Sequence, residues 1–215
     1  MSLMAVLMLF YAGWASMCEI LRPTLPYFTT VPEKLAGLFD MRERAQRAAA
    51  FGLVRGDLWS DDALAHAATV INDIANHKGI GLNAAPRHAE YAAKQAVALT
   101  PFDSRAWLVL ASLTLDHGDP TEATRALKMA YLTGPNLREL IAFRMLVATR
   151  GTISNEPEIQ TLARADFRNI LIHRPDLQPA ILSAYKTAST PGQRFILETV
   201  GDLDPGFAKT LTANP

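Results

Sequence analysis

Residues 104–137 read SRAWLVLASLTLDHGDPTEATRALKMAYLTGPNL, and this stretch decides the fold. On both sides of His117-Gly118-Asp119-Pro120, apolar side chains recur at three- and four-residue spacing, the period of an α-helix rather than the alternation of a strand. Trp107, Leu110 and Ala111 share one face of the first half, and Ala123, Leu127 and Ala130 share one face of the second. Asp103 precedes the first half as an N-cap, Gly118 stands at its end, and Gly134-Pro135 stops the second. So short a turn can only return the chain beside itself, so Arg105–Asp116 and Thr121–Leu132 are expected to pair antiparallel. Trp107 is expected to be buried between them, against Ala123, whose small side chain lets the two helices approach.

Outward from this hairpin the same periodicity recurs in Arg42–Val54, Asp61–His77, Arg87–Leu99, Leu137–Thr149, Pro157–His173, Leu177–Ala188 and Gly192–Val200. No strand pattern competes. Asp40, Ser60, Asn136 and Asp176 are placed as N-caps, and Gly56, Gly151 and Gly201 at helix ends. Pro101 and Pro135 lie 34 residues apart, and Ala89/Ala123 and Ala96/Ala130 align at the same offset. Ala163, Phe167 and Pro175 repeat the second-helix spacing after a turn enlarged by Gly151–Pro157.

Carrying Trp107, Leu110, Ala111, Gly118, Ala123, Leu127, Ala130 and Pro135 in a 34-residue frame, Ser104–Leu137 resembles the tetratricopeptide repeat (TPR). It departs from the family pattern at Thr114, where the family has Tyr, and at Leu127, where it has Tyr or Phe. The resemblance covers roughly residues 61–175, one strong unit with weaker ones on either side. It implies an all-α fold, a TPR-like array of antiparallel helical hairpins (an α-solenoid) within residues 40–215, closed by C-terminal capping helices. It also implies a concave partner-binding face carrying Arg105, Leu108, Ser112, Leu115 and Asp116, joined by Glu139, Ala142 and Leu146. Family members that clamp a terminal carboxylate use Lys and Asn where this chain has Leu108 and Ser112, so no such clamp is implied. The competing expectation is that neighbouring helices cover Leu108 and Leu115.

At the other end of the chain, Met1–Cys18 carries no charged side chain, and Ile20-Leu21 extend the apolar run to Arg22-Pro23. About 20 such residues span a bilayer as a helix, and the polar face of a soluble core helix is missing. Residues 1–22 are therefore read as a transmembrane-like anchor, holding the membrane through residues 1–21. A cleaved signal peptide would want a positive n-region, yet no Lys or Arg precedes Arg22. A lipoprotein box at Ala15-Ser16-Met17-Cys18 lacks the small residue before Cys18. A buried terminal helix of a soluble protein is the remaining alternative. Residues 23–39, with Pro23, Pro26 and Pro32, read as an extended connector. Only the amino terminus, Arg22 and Lys34 bear on orientation. The expectation is a single pass through a bacterial inner membrane with a periplasmic helical domain, the cytoplasmic side being the alternative.

The 215 residues hold 21 Lys+Arg against 21 Asp+Glu, a balance that lacks the basic footprint of a nucleic-acid binder. Gly79-Ile80-Gly81-Leu82-Asn83-Ala84 matches G-x-G-x-x-A but follows a helix, outside any βαβ unit. The histidines His66, His77, His88, His117 and His173 form no H-x-x-x-H or H-E-x-x-H pair, and His66 and His77 stand about 16 Å apart along one helix. Cys18, the one cysteine, belongs to the apolar run, and no G-x-S-x-G elbow occurs. Asp61-Asp62 read as helix-start charges and Arg42, Arg44 and Arg47 as a solvated face. No catalytic residue, cofactor, metal or small-molecule substrate is therefore expected. The function expected is a membrane-tethered protein–protein adaptor or scaffold that assembles or retains a multiprotein complex, its partner face carrying Arg105, Leu108, Ser112, Asp116 and Glu139. The alternatives are a non-catalytic accessory subunit packed into a larger membrane enzyme complex through its anchor helix, and a hydrolase or accessory enzyme subunit.

Overall fold

The computed structural model describes residues 3–23, 32–75 and 84–213, with side chains described for 3–23, 41–67 and 86–213. His77, the Gly79–Asn83 run, and Pro26 with the spacer after it lie outside the described residues, as does the Asp40 side chain. Among the described residues the chain is all-α. Its helices are α1 (Leu3–Leu21), α2 (Pro32–Gly52), α3 (Gly56–Ala75), α4 (Ala84–Leu99), α5 (Ser104–Asp116), α6 (Pro120–Thr133), α7 (Ile141–Ala148), α8 (Pro157–His173), α9 (Gln178–Thr187), α10 (Thr190–Leu203) and α11 (Pro205–Ala213). Short 3₁₀ turns at Arg138–Leu140, Gly151–Asn155 and Pro175–Leu177 lead into or out of α7, α8 and α9.

Local chemistry sets most of these boundaries. The Asp103 carboxylate accepts from the Arg105 N–H at the start of α5, and Asp119 accepts from the Glu122 N–H at the start of α6, where Pro120 needs no donor partner. Gly118, at φ +84°, makes the left-handed step that turns α5 into α6. Helix α8 spans the residues its periodicity picks out. Several boundaries differ from expectation, two of them by enough to change the reading. Helix α2 begins at Pro32, so the second half of the expected connector is helical. Helix α3 begins at Gly56, which puts Ser60, Asp61 and Asp62 inside the helix and buries them. Gly56 opens α3 because α4 ends against it: a Cβ there would stand 2.1 Å from Thr100 Oγ1. Helix α11 has no counterpart in the periodicity.

Successive helices pack on one another: α2 on α3, α3 on α4, α4 on α5 and α5 on α6. Alanines make this close approach possible, with Ala92, Ala93 and Ala96 of α4, Ala106 and Ala111 of α5, and Ala123, Ala126 and Ala130 of α6 all fully buried. One continuous apolar core runs from α3 to α11, and a small separate one joins Cys18 of α1 to Ala48 and Ala49 of α2 and Leu58 of α3. Trp107 is half-buried at the edge of the main core, not enclosed in it. Its indole N–H donates to the Pro101 carbonyl at 2.7 Å, which holds the ring at the end of the helix pair. Phe143 and Phe167 fill the interior instead, the latter edge-on to Phe195 with ring centres 5.9 Å apart.

Candidate functional site

The first half of α1 makes no contact that buries it: Leu3–Gly13 is exposed throughout. The second half is gripped. Cys18 is fully buried against α2 and α3, and the Trp14 indole N–H donates to the Phe51 carbonyl at 3.1 Å. Arg22, the first cation after the apolar run, reaches Asp61 at 2.7 Å through Nε and Asp57 at 3.1 Å through Nη1. Arg55 pairs with Glu19 of α1 and with Asp57, each at 2.6 Å. Asp61 also accepts from Arg105 Nη1 at 3.2 Å, and Arg105 forks onto Asp103. Alternating charges thus run from the end of α1 across α3 to the start of α5. Burial pushes the Asp61 carboxyl up, against the pull of Arg105 and Arg22. Burial also acts upward on Asp57, yet its bond to Arg55 and the nearby charges of Arg55 and Arg22 hold it below the usual range.

Much of the expected partner face is engaged within the chain. Leu108 and Ser112 are buried, Arg105 is engaged with Asp61 and Asp103, and Asp116 accepts from Arg150. Leu146 is buried and Ala142 half-buried. Glu139 is exposed, on the 3₁₀ turn before α7. Packing of α3 and α7 against α5 covers the surface that an isolated hairpin would leave open. Leu108 and Ser112 therefore lie in a seam between helices.

A polar cluster that the spacing did not reveal lies between α3 and α4. Asp62, His66 and His88 bring their ligand-type atoms within 4.8 Å of one another, and the two imidazoles stand 4.2 Å apart. His88 Nε2 is 2.8 Å from Asp62 Oδ2, and His66 Nδ1 lies 3.0 Å from Asp62 Oδ1 and 3.1 Å from the Asp62 carbonyl. Donor atoms around one tetrahedral zinc lie about 3.3 Å apart, given bonds of about 2.0–2.2 Å. The 2.8 Å contact of His88 Nε2 with Asp62 Oδ2 is a direct hydrogen bond, while Asp62 Oδ1 makes none among the described residues, so the cluster as folded is a clasp in which a fully buried carboxylate bonds the imidazole of α4 and lies beside that of α3. Asp62 and His66, four residues apart, shared a helix face in the sequence; nothing in the spacing indicated His88, which enters from α4.

Among the described residues, solvent-open depressions mark the surface. One of 310 Å³ is lined by Thr121, Arg125, Lys128, Ile153 and Glu156, with Lys128 and Glu158 paired beside it. One of 490 Å³ lies along α8 over Arg164, Arg168 and His173, and one of 340 Å³ lies between α9 and α11. Comparison with known proteins returns no matching family model, no matching curated protein and no matching solved structure.

Proposed function

We propose that this chain is a membrane-tethered helical scaffold, a TPR-like array that retains a partner protein at the bilayer and performs no catalysis of its own. The observation that carries the proposal is α1, a 19-residue helix long and apolar enough to cross a membrane, exposed along Leu3–Gly13 and locked to the domain at its polar end. The repeat reading is supported by the 34-residue frame and by the sequential pairing of α3 with α4 and α5 with α6. The depressions described are open and not deep, a form that suits holding more than turnover. The membrane proposed is a bacterial inner membrane, crossed once, with the array on the periplasmic side.

Closure of the α5 face favours a second reading, in which the chain is an accessory subunit packed into a membrane complex through α1. Affinity purification from detergent-solubilised membranes separates the two readings when the native chain is run beside one whose residues 3–13 are replaced by an unrelated Leu/Ala run. Partners kept by both chains support the scaffold; partners lost with the replacement support packing through α1. Release of the native chain into the soluble fraction by a high-salt wash would overturn membrane tethering.

A further inference from the structure

Outside α1, most of the exposed large apolar side chains gather at one end of the helical array. Phe51, Leu53 and Val54 crown the α2–α3 turn, Leu99 and Phe102 the α4–α5 turn, and Leu132 the end of α6. Leu53, Val54, Phe102 and Leu132 are between 68% and 81% exposed. The three turns touch in series. A Cβ on Gly56 would stand 3.1 Å from Leu99 Cβ, and one on Gly134 would stand 2.4 Å from Ser104 Oγ. Soluble surfaces scatter such side chains singly, whereas a continuous apolar row marks an interaction surface. The α5–α6 turn at the other end of the hairpin, His117-Gly118-Asp119, carries none.

All three tryptophans of the chain serve this rim. Trp14 donates to the Phe51 carbonyl, Trp59 to the Leu53 carbonyl at 3.0 Å and Trp107 to the Pro101 carbonyl. An indole whose N–H is bonded to a backbone carbonyl can present its apolar body to lipid with no donor left unmet, and it satisfies the carbonyl as well. Helix α1 joins the array at the same rim and fixes its depth. Trp14 lies beside Phe51, Cys18 beside Ala48 and Ala49, and Arg22 beside Asp57 and Asp61, so α1 runs antiparallel to α2 and its free half projects beyond the α2–α3 turn. A 19-residue helix rises about 28 Å, close to the roughly 30 Å of a hydrocarbon core, so crossing uses the gripped half as well as the free half. Trp14 is then about 10 Å inward of Leu21, and the Phe51 carbonyl bonded to it shares that depth.

We infer that the apolar rim formed by the α2–α3 and α4–α5 turns and the last turn of α6 is seated in the lipid bilayer beside α1, so that the domain is embedded at its end and not merely tethered. The occupant is lipid: acyl chains meet Phe51, Leu53, Val54 and Phe102, while paired Glu19, Arg22, Arg55 and Asp57 lie at headgroup level. This inference rests on the proposed anchoring by α1, and its test separates the two. Native Cys18 is fully buried, so a bimane probe on the full-length Phe102→Cys chain reports the rim, and one on Thr121→Cys, at the opposite end, reports the control. Both are placed in phosphatidylcholine nanodiscs and challenged with aqueous iodide and with doxyl-labelled lipid. The rim probe is expected to lose more than half of its emission to doxyl lipid and to be shielded from iodide, with the control showing the reverse. A chain that does not enter nanodiscs overturns the anchoring itself. Entry with the rim probe open to iodide overturns the seated rim and leaves the anchor standing. Shielding of the rim probe from both quenchers, as a covering protein or a second copy would give, also overturns it. Leu132→Cys repeats the measurement if Phe102→Cys fails to fold.

Discussion

Arg144 is the largest side chain fully enclosed in the core, and its charge is met on every side that the structure describes. It forks onto Asp166 at 3.0 and 2.8 Å, donates to the Gly134 carbonyl at 2.6 Å and the Pro135 carbonyl at 3.3 Å, and lies 4.6 Å from the Tyr131 ring centre. Burial lifts the Asp166 carboxyl from 3.8 to about 6, against the pull of Arg144. Because the folded value is the higher one, the stability this group contributes is full below its unfolded value and is lost as pH rises through about 6. Replacing Arg144 with Met removes the opposing cation and frees two buried carbonyls, an expected loss of about 3–5 kcal/mol. The same change should push Asp166 further up and extend the pH-dependent loss above 6; thermal melts at pH 5 and pH 7.5 check both, and parallel profiles for the two chains would refute it. The Asp62 clasp yields a second expectation. His88→Ala leaves a buried carboxylate oxygen without its partner, at about 1–3 kcal/mol, and zinc should not raise the melting temperature of the native chain. Zinc stabilisation that vanishes in His88→Ala would instead make the cluster a metal site.

At the scale of elements, helices were legible wherever local period and local punctuation agree. Helix α8 matches its expected span, and the α5–α6 hairpin is one residue longer at the start of α5 and at both ends of α6. Legibility failed where tertiary contacts outweigh local signals. Ser60-Asp61-Asp62 has the composition of an N-terminus, yet Asp61 is held by Arg22 and Arg105, and Asp62 by histidines of two helices, so the stretch lies inside α3. Coverage of Leu108 and Ser112 was illegible for the same reason: periodicity shows which face of α5 avoids α6, but not that α3 and α7 arrive to pack on it. Arg105 and Asp116 consequently change meaning. Replacing both with Ala strips counter-charges from half-buried Arg150 and buried Asp61, so the melting temperature should fall clearly where an exposed face would have left it almost unchanged. Between elements, α10 meets the end of α7 backbone to backbone: the Ser189 N–H donates to the Thr149 carbonyl at 3.2 Å, and a Cβ on Gly192 would stand 1.9 Å from that oxygen. A carbonyl in a packed turn cannot rotate away as a side chain can. Gly192→Ala should therefore cost about 1–3 kcal/mol, measured by denaturant unfolding; an unchanged midpoint would mean that α10 does not dock there.

Across the whole molecule, stability is divided unequally between two apolar cores. Among the described residues the larger one links α3 to α11 without α1 or α2, whereas the smaller consists of Cys18, Ala48, Ala49 and Leu58 with Trp14, Leu21 and Trp59 at its margin. Segments that bury few apolar side chains open locally at a fraction of the global cost. In detergent, amide exchange should be slowest in α5, α6 and α7, whose inner faces are enclosed, and fastest in α1 and the end of α2. Deleting residues 1–23 removes one wall of the small core and the Arg22 partner of Asp57 and Asp61, but leaves the large core untouched. The truncated chain is thus expected to keep its helical circular dichroism and cooperative melt, at a lower midpoint, with new exchange confined to α2 and the first turns of α3. Loss of cooperative melting on truncation would show instead that α1 is part of the fold's only stable unit. A rim seated in lipid adds one further expectation for the full chain: transfer from detergent to nanodiscs should slow exchange at the α2–α3 turn, which exposes Phe51, Leu53 and Val54, and leave the α5–α6 turn unaltered.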